Sequence, residues 1–548
     1  MAAVKHFFTS QLPTYLNETG GEFPTSLGET AELFTSLDGG ELALKLLPLV
    51  IFVLFVLFAA IGWLLSIKIR EAFNLDVNSS GVAQFSSFFY KHNGIVPALP
   101  FLLGYVPGLT ALLACYFAAQ GPEYVYGTFL TFFVGYVLVP IEDMLLGEDS
   151  YNATEEEEKR LKRNPWFRYV TLLYTPSYIF TIVYGVYTIA SASEQLTNTQ
   201  LFGITFSVGI AGGFGIGCVH EMIHRPHFID MFSGVTATVF ANYGHFWIEH
   251  LWGHHKRVAT DEDPASSALG DDLYTFLVKD IYFSFTDALK IESRFLAKKK
   301  KSIFQHRILQ AYTVSAIIAF TVYKVAQSYG GDARAFQALV FYIGQGIWVA
   351  LHIENANYIE HYGLRRRKVE GQVDREGEQV YERPGWFHAW DTADRLTNWI
   401  LFKIQRHPDH HTNAGRAYQI LRTLPQSPKM PTGYAGMFVL SWFPPLYWAI
   451  MDPLVRNAYA QRAKMEAAGC AASAFPKGSN NMSSWWKREG EGYFEEGSTP
   501  YKDWIGSDKN KDRDVYDTDY NTQFSTAIKK GQIVESTDEA KSAHLKAE

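Results

Sequence analysis

The sequence predicts an all-α fold: a polytopic membrane helical bundle of about six core spans plus one extra N-terminal span, with a histidine-rich site at its cytoplasmic end. Three observations predict it. Long uncharged apolar runs recur along the chain, basic clusters separate them in a consistent pattern, and histidines gather near the ends of the runs.

The apolar runs set the spans. A helix needs about 20 mostly apolar residues to cross about 30 Å of hydrocarbon. Leu46–Ile67 ("LLPLVIFVLFVLFAAIGWLLSI") is one such run, followed by Ala98–Gln120, Val125–Leu146, Arg168–Ala192, Gln200–Val219, Arg307–Gln327 and Ala335–Ile353. The first is too long, and begins too far into the chain, to read as a cleavable signal peptide. The net charge of −7 over 548 residues gives no sign of a nucleic-acid partner. Cys115, Cys218 and Cys470 form no CxxC pair, which excludes a disulfide framework and a thiolate metal site.

The basic residues set orientation. Lys68 and Arg70 follow the first run, Lys159, Arg160, Lys162 and Arg163 precede the fourth, and Lys298–Lys301 precede the sixth. All three clusters are cytoplasmic if the spans alternate from an outside N-terminus. The chain then divides into a polar segment 1–45, the extra span and linker 46–92, a catalytic domain 93–455 and a polar, partly disordered tail 456–548 bearing Trp485, Trp486 and Trp504. An outside N-terminal segment exposes Asn17-Glu18-Thr19, a glycosylation sequon in a eukaryote. The membrane is the bacterial inner membrane, or the endoplasmic reticulum or another internal membrane in a eukaryote.

Histidines cluster as "HEMIH" (His220, His224), "HLWGHH" (His250, His254, His255), "IEHYG" (His361) and "HPDHH" (His407, His410, His411), all on the cytoplasmic side of that topology. Residues four apart on a helix stand about 6 Å apart on one face. His220/His224, His250/His254 and His407/His411 are such pairs, each suited to chelating one ion, while His255 and His410 turn roughly 100° away toward a neighbouring ion. Nine imidazoles exceed what one metal uses, so two are implied. Imidazole donors suit iron, copper, zinc or nickel, and structural zinc commonly takes thiolates that are missing nearby. Glu221, Glu249, Glu360 and Asp409 each adjoin a ligand and are expected to hold imidazole N–H groups behind the metals. A di-iron centre that activates oxygen fits best. His245, in "YGHFWIEH", is a weaker candidate for either role.

Two other readings compete. "HEMIH" matches the HExxH zinc-protease motif, which uses two histidines and leaves seven without a purpose. A metal transporter wants polar residues at the bilayer midplane, whereas these lie at span ends.

At these residues the chain resembles the integral-membrane non-haem di-iron alkane 1-monooxygenases, within the membrane fatty-acid desaturase and hydroxylase superfamily. "EHLWGHHKRVATDEDPASSALGDDLY", "NYIEHYGL", "QRHPDHHTNAGRAYQIL" and the acidic loop "PIEDMLLGED" carry the resemblance, which runs from about residue 95 to 455. It implies nine histidine ligands, the same nine as above, two iron ions and O2 as co-substrate. It implies terminal hydroxylation of a medium- or long-chain alkane entering through a hydrophobic channel. It also implies electrons from rubredoxin or ferredoxin with an NAD(P)H-dependent reductase. Leu46–Ile67 is an addition to the family's six spans. The paired cysteine motifs of a fused rubredoxin are missing here, so the donor is expected to be a separate protein. Arg365–Lys368, after His361, with Lys256, Arg257 and Arg406, is its expected docking surface. A fatty-acid or lipid hydroxylase or desaturase using the same site is the alternative.

Overall fold

Helices carry almost all of the architecture. In the computed structural model, which describes residues 87, 89–373 and 379–467, α1 (Val96–Gln120) and α2 (Pro122–Leu146) are followed by a short α3 (Glu155–Arg163), then α4 (Trp166–Ser191) and α5 (Asn198–His224). Next come α6 (Phe228–Phe240) and α7, which begins at Phe246–Glu249, passes a π-helical turn at His250–His254 and ends at His255–Arg257. α8 (Leu273–Lys298) and α9 (Arg307–His361) precede a small antiparallel hairpin, β1 (Lys368–Val373) and β2 (Gln379–Tyr381). The described residues end with α10 (Arg395–Ile400), α11 (His407–Thr412), α12 (Tyr434–Ser441) and α13 (Pro444–Ala467). The predicted span Leu46–Ile67, the sequon at Asn17 and the tail tryptophans lie outside the described residues.

Among the described residues, five helices are long and apolar enough to cross a membrane: α1, α2, α4, α5 and α9. Large apolar side chains stand exposed along them, including Leu109, Phe180, Tyr187, Phe320, Phe336 and Ile347. A water-soluble protein rarely shows so many; here they face lipid. The chain is an integral membrane protein.

The 55 residues of α9 would span roughly 80 Å if straight. They do not run straight. Gly331 takes φ 75° and ψ −173°, a conformation open to glycine, and interrupts the helix. Arg307 at one end lies over the rings of Trp247 and Trp252, at 4.7 and 5.3 Å, and pairs with Glu292. His361 at the other end lies beside His254, ring centroids 5.0 Å apart. Both ends therefore meet α7, and the two arms run antiparallel.

α5 is the central element. Small residues along it let neighbours approach, as expected where helices pack inside a bilayer. A Cβ at Gly213 would fall 2.4 Å from the His352 ring, and one at Gly217 would fall 2.5 Å from the Leu401 carbonyl oxygen. Those two contacts bring α9 and the segment after α10 against the end of α5, where His220 begins the first histidine cluster.

Candidate metal centre

Four separate pieces of chain supply the nine histidines. His220 and His224 close α5, His250, His254 and His255 sit on α7, His361 ends α9, and His407, His410 and His411 lie on α11. All but the half-buried His224 are buried. They form two adjoining groups: His220, His224, His250, His255 and His410 in one, and His254, His361, His407 and His411 in the other. Within each group the ligand nitrogens lie within 4.8 Å of one another.

This division departs from the helical pairing. His220/His224 and His407/His411 do share a group, but His250 and His254 separate. The cause is the π-helical turn at His250–His254, whose wider winding brings His250 beside His255, five residues on, with Nε2 atoms 3.0 Å apart. His254 is thereby turned to the second group, where its Nε2 lies 3.2 Å from that of His411.

The donor set fits metal ions. Nitrogens about 2.1 Å from a metal and at right angles stand about 3.0 Å apart. The Nε2 atoms of His224 and His250 are 3.0 Å apart, those of His255 and His410 3.1 Å, those of His361 and His407 3.2 Å, and those of His407 and His411 2.8 Å. His220 Nε2 is buried with no hydrogen-bond partner among the described residues. Burial, reinforced by neighbouring imidazoles, holds His250, His255, His407, His410 and His411 well below the usual histidine range, so they remain neutral ligands.

The outer nitrogens reveal what sequence reasoning missed. His254 Nδ1 lies 2.9 Å from Asp263 Oδ2, and Asp263 is braced by the Ser266 hydroxyl at 2.5 Å. Burial pushes the Asp263 carboxyl up, but His254, Ser266 and Arg257 outweigh it and hold the acid below its ordinary value. His361 Nδ1 donates to the His388 carbonyl oxygen at 3.1 Å, and His407 Nδ1 to that of Ile404 at 3.3 Å. Asp263 lies within "TDEDPASSALGDD", nine residues beyond His254. Its place in that stretch was the one available signal.

The four carboxylates expected in this role do other things. Glu221 pairs with Arg225 at 2.8 Å and accepts from the Tyr418 N–H at 3.1 Å. Glu249 faces Arg257 at 3.6 Å. Asp409 accepts from the Arg422 N–H and from Asn413 Nδ2, both at 2.8 Å, closing the loop after α11. Glu360 alone reaches one of the nine imidazoles, and it approaches His407 at Nε2, 3.2 Å away, on the side that faces the metal position. The reason is geometric: on a helix, adjacent residues do not face each other, so an acid beside a ligand points elsewhere. His245 belongs to neither group; its Nδ1 meets the Tyr312 hydroxyl at 2.7 Å.

The expected docking cations are largely occupied inside the fold. Arg366 is 4% exposed and donates to the carbonyls of Lys256 and Glu382. Arg365 pairs with Asp261 and donates to the Ser267 carbonyl, and Arg367 pairs with Glu466. Lys256 and Arg406 are buried. Asp143 and Asp149 of the acidic loop brace the stretch leading into α11, Asp143 through the Thr397 N–H at 3.0 Å and Asp149 facing Arg406 at 3.8 Å.

A small cavity of about 20 Å³ touches the first group at His220 and His250 and the second at His407. Ile216, Phe246, Ile353, Ala356, Leu401, Ile404 and Phe438 make it apolar, and Asn357, Glu360 and Tyr434 are its other polar lining. Ile216 and Ile353 precede the ligands on α5 and α9, so the cavity lies between the imidazoles and the bilayer interior.

The fatty acid desaturase family profile matches residues 198–450, which contain all nine histidines. Alkane 1-monooxygenase 1 of Pseudomonas aeruginosa is 35% identical over 59% of this chain and 81% of its own length. Alkane 1-monooxygenase of Acinetobacter baylyi is 32% identical over 60% of this chain and 76% of its own. The hydroxylase component of a xylene/toluene monooxygenase from Pseudomonas putida is more distant, at 26% over 43% of this chain and 60% of its own. By this extent of likeness, on a helical membrane fold carrying two histidine groups, the chain belongs to the alkane 1-monooxygenase family.

Proposed function

We propose that this oxidoreductase hydroxylates the terminal carbon of a medium- or long-chain linear alkane, with two non-haem irons held by the nine histidines. The observation that supports this best is the juxtaposition of the two imidazole groups with one small apolar cavity. The reaction takes an alkane, O2, two electrons and two protons to a primary alcohol and water. When bound, the irons supply the oxygen activation that no side chain can.

The chain's own residues supply the rest. Asp263 and the carbonyls of His388 and Ile404 hold three imidazoles with Nδ1 protonated and Nε2 free to bind metal. The apolar walls exclude water and accept a methyl end, so the alkane enters end-on from the bilayer side. In this reading each arm of α9 crosses the membrane, giving six crossings among the described residues, and the basic clusters support a cytoplasmic side for the site. Rubredoxin or ferredoxin, reduced by an NAD(P)H-dependent reductase, is the proposed electron source.

The test is oxygen consumption and product identity for purified protein with a reducing system, using octane, hexadecane and palmitoyl substrates. The expected products are 1-octanol or 1-hexadecanol. Oxidation of palmitoyl substrates alone would move the reading to a fatty-acyl hydroxylase or desaturase.

A further inference from the structure

An open groove lies away from the histidines, where α3 meets the starts of α1 and α4. It encloses about 500 Å³ and is lined by Asn93, Lys159, Arg160, Arg163 and Trp166, with Glu156 as its single acid. Arg160 is tied down at the groove wall, donating to the Lys91 carbonyl at 2.9 Å and to the Tyr90 carbonyl, and its Nε is buried with no partner among the described residues. Lys159 is exposed, as is Arg163, and neither has a hydrogen-bond or ion-pair partner among the described residues. Three cations against one acid make a groove that attracts an anion.

Its position says which anion. α1 and α4 pack together through Phe101 and Phe167, ring centroids 5.9 Å apart, and both are helices long and apolar enough to cross a membrane. The groove lies at their N-terminal ends, where a span passes from hydrocarbon to headgroups. The Tyr418 hydroxyl donates to the Phe167 carbonyl at 3.1 Å, and the Tyr418 N–H to Glu221 at 3.1 Å, so this is the end of the bundle that carries the histidines. From the groove, exposed apolar side chains continue down both spans: Leu99 and Leu102 on α1, Tyr169 and Leu173 on α4. Their spacing, three or four residues, keeps each pair on one helix face.

We propose that this groove holds the headgroup of an anionic phospholipid, with its phosphodiester against Lys159, Arg160 and Arg163 and its acyl chains along the exposed strip. Trp166, 40% exposed at the start of α4, sits at the depth where tryptophan anchors spans at the interface. A soluble acidic protein would use the cations but not the apolar strip that leads away from them.

The experiment compares the full-length protein with Lys159→Glu/Arg163→Glu and with Lys299→Glu/Lys300→Glu, a pair in the other basic cluster. Each is purified in mild detergent and titrated with phosphatidylglycerol, phosphatidylcholine or inorganic phosphate, following thermal stability and lipid retained per chain. Each basic side chain near an anionic surface contributes enough that the groove variant should bind phosphatidylglycerol at least about 30-fold more weakly. The wild type and the second variant should bind it alike, and neither phosphatidylcholine nor inorganic phosphate should reproduce the effect. Unchanged iron content and elution in the groove variant exclude misfolding. Equal losses in both variants would reduce the effect to bulk charge and overturn the proposal, as would an equal response to phosphatidylcholine or to inorganic phosphate. Unchanged lipid binding in the groove variant, with weaker reduction by an acidic donor protein, would assign the groove to that protein instead.

Discussion

Asp263 Oδ2 stands 2.9 Å from His254 Nδ1, the only contact in the described residues between a carboxylate and the outer nitrogen of one of the nine histidines. The acid thereby fixes the tautomer in which Nε2 faces the second group. Asp263→Asn should lower iron affinity or turnover by about 10–100-fold, the usual range for such supporting acids. Asp409→Asn, which loses only loop contacts, should lower iron content less. Iron quantification on both variants, purified in parallel, decides the order.

The cavity predicts a separation of metal binding from substrate access. Ala356→Leu places an isobutyl group in about 20 Å³ of space that the substrate end must occupy. Alkane hydroxylation should fall steeply while iron content stays at the wild-type level. Full activity in this variant would mean the substrate approaches by another route.

Arg366 predicts a stability effect where surface reasoning predicts a docking effect. Its guanidinium is buried and bonded to two carbonyls, so Arg366→Ala should destabilise the protein by about 2 kcal/mol or more. Activity should fall equally with a protein donor and with a small chemical reductant. A loss confined to the protein donor would restore the docking role.

Acid should unfold the metal-free protein before the loaded one. His250, His255, His407, His410 and His411 titrate below 6.5 when folded, so below about pH 6.5 the unfolded chain binds more protons. Their contribution is full above that pH and is lost progressively below it, down to the lowered folded-state values. Thermal unfolding between about pH 8 and about pH 5 should show stability falling with pH in both forms, with the iron-loaded protein melting higher wherever the metal stays bound, because iron binds only the folded state.

Much of this site was legible in the sequence, for identifiable reasons. The nine histidines announce themselves because short spacings on helices are local, and their convergence follows from span ends that share one side of a bilayer. What was hidden depends on conformation or on distance along the chain. The π-helical turn that regroups His250 with His255 leaves no mark in the spacing "HLWGHH". Asp263 reaches His254 through a loop, whereas the four acids adjoining ligands are turned aside by the helix itself. Arg365–Lys368 read as a surface patch because charge usually means solvent, yet Arg366 closes internal carbonyls. The break at Gly331 was visible in "SYGGDAR", since two apolar runs flank it.

The central claim is that nine imidazoles hold two irons as a group of five and a group of four. Iron quantification combined with X-ray absorption at the iron edge on purified protein tests it most directly. The account predicts two irons per chain and a first shell dominated by nitrogen, with four to five imidazoles per iron on average and the outer-shell scattering typical of those rings. One metal per chain, or a first shell made mainly of carboxylate oxygen, would contradict it.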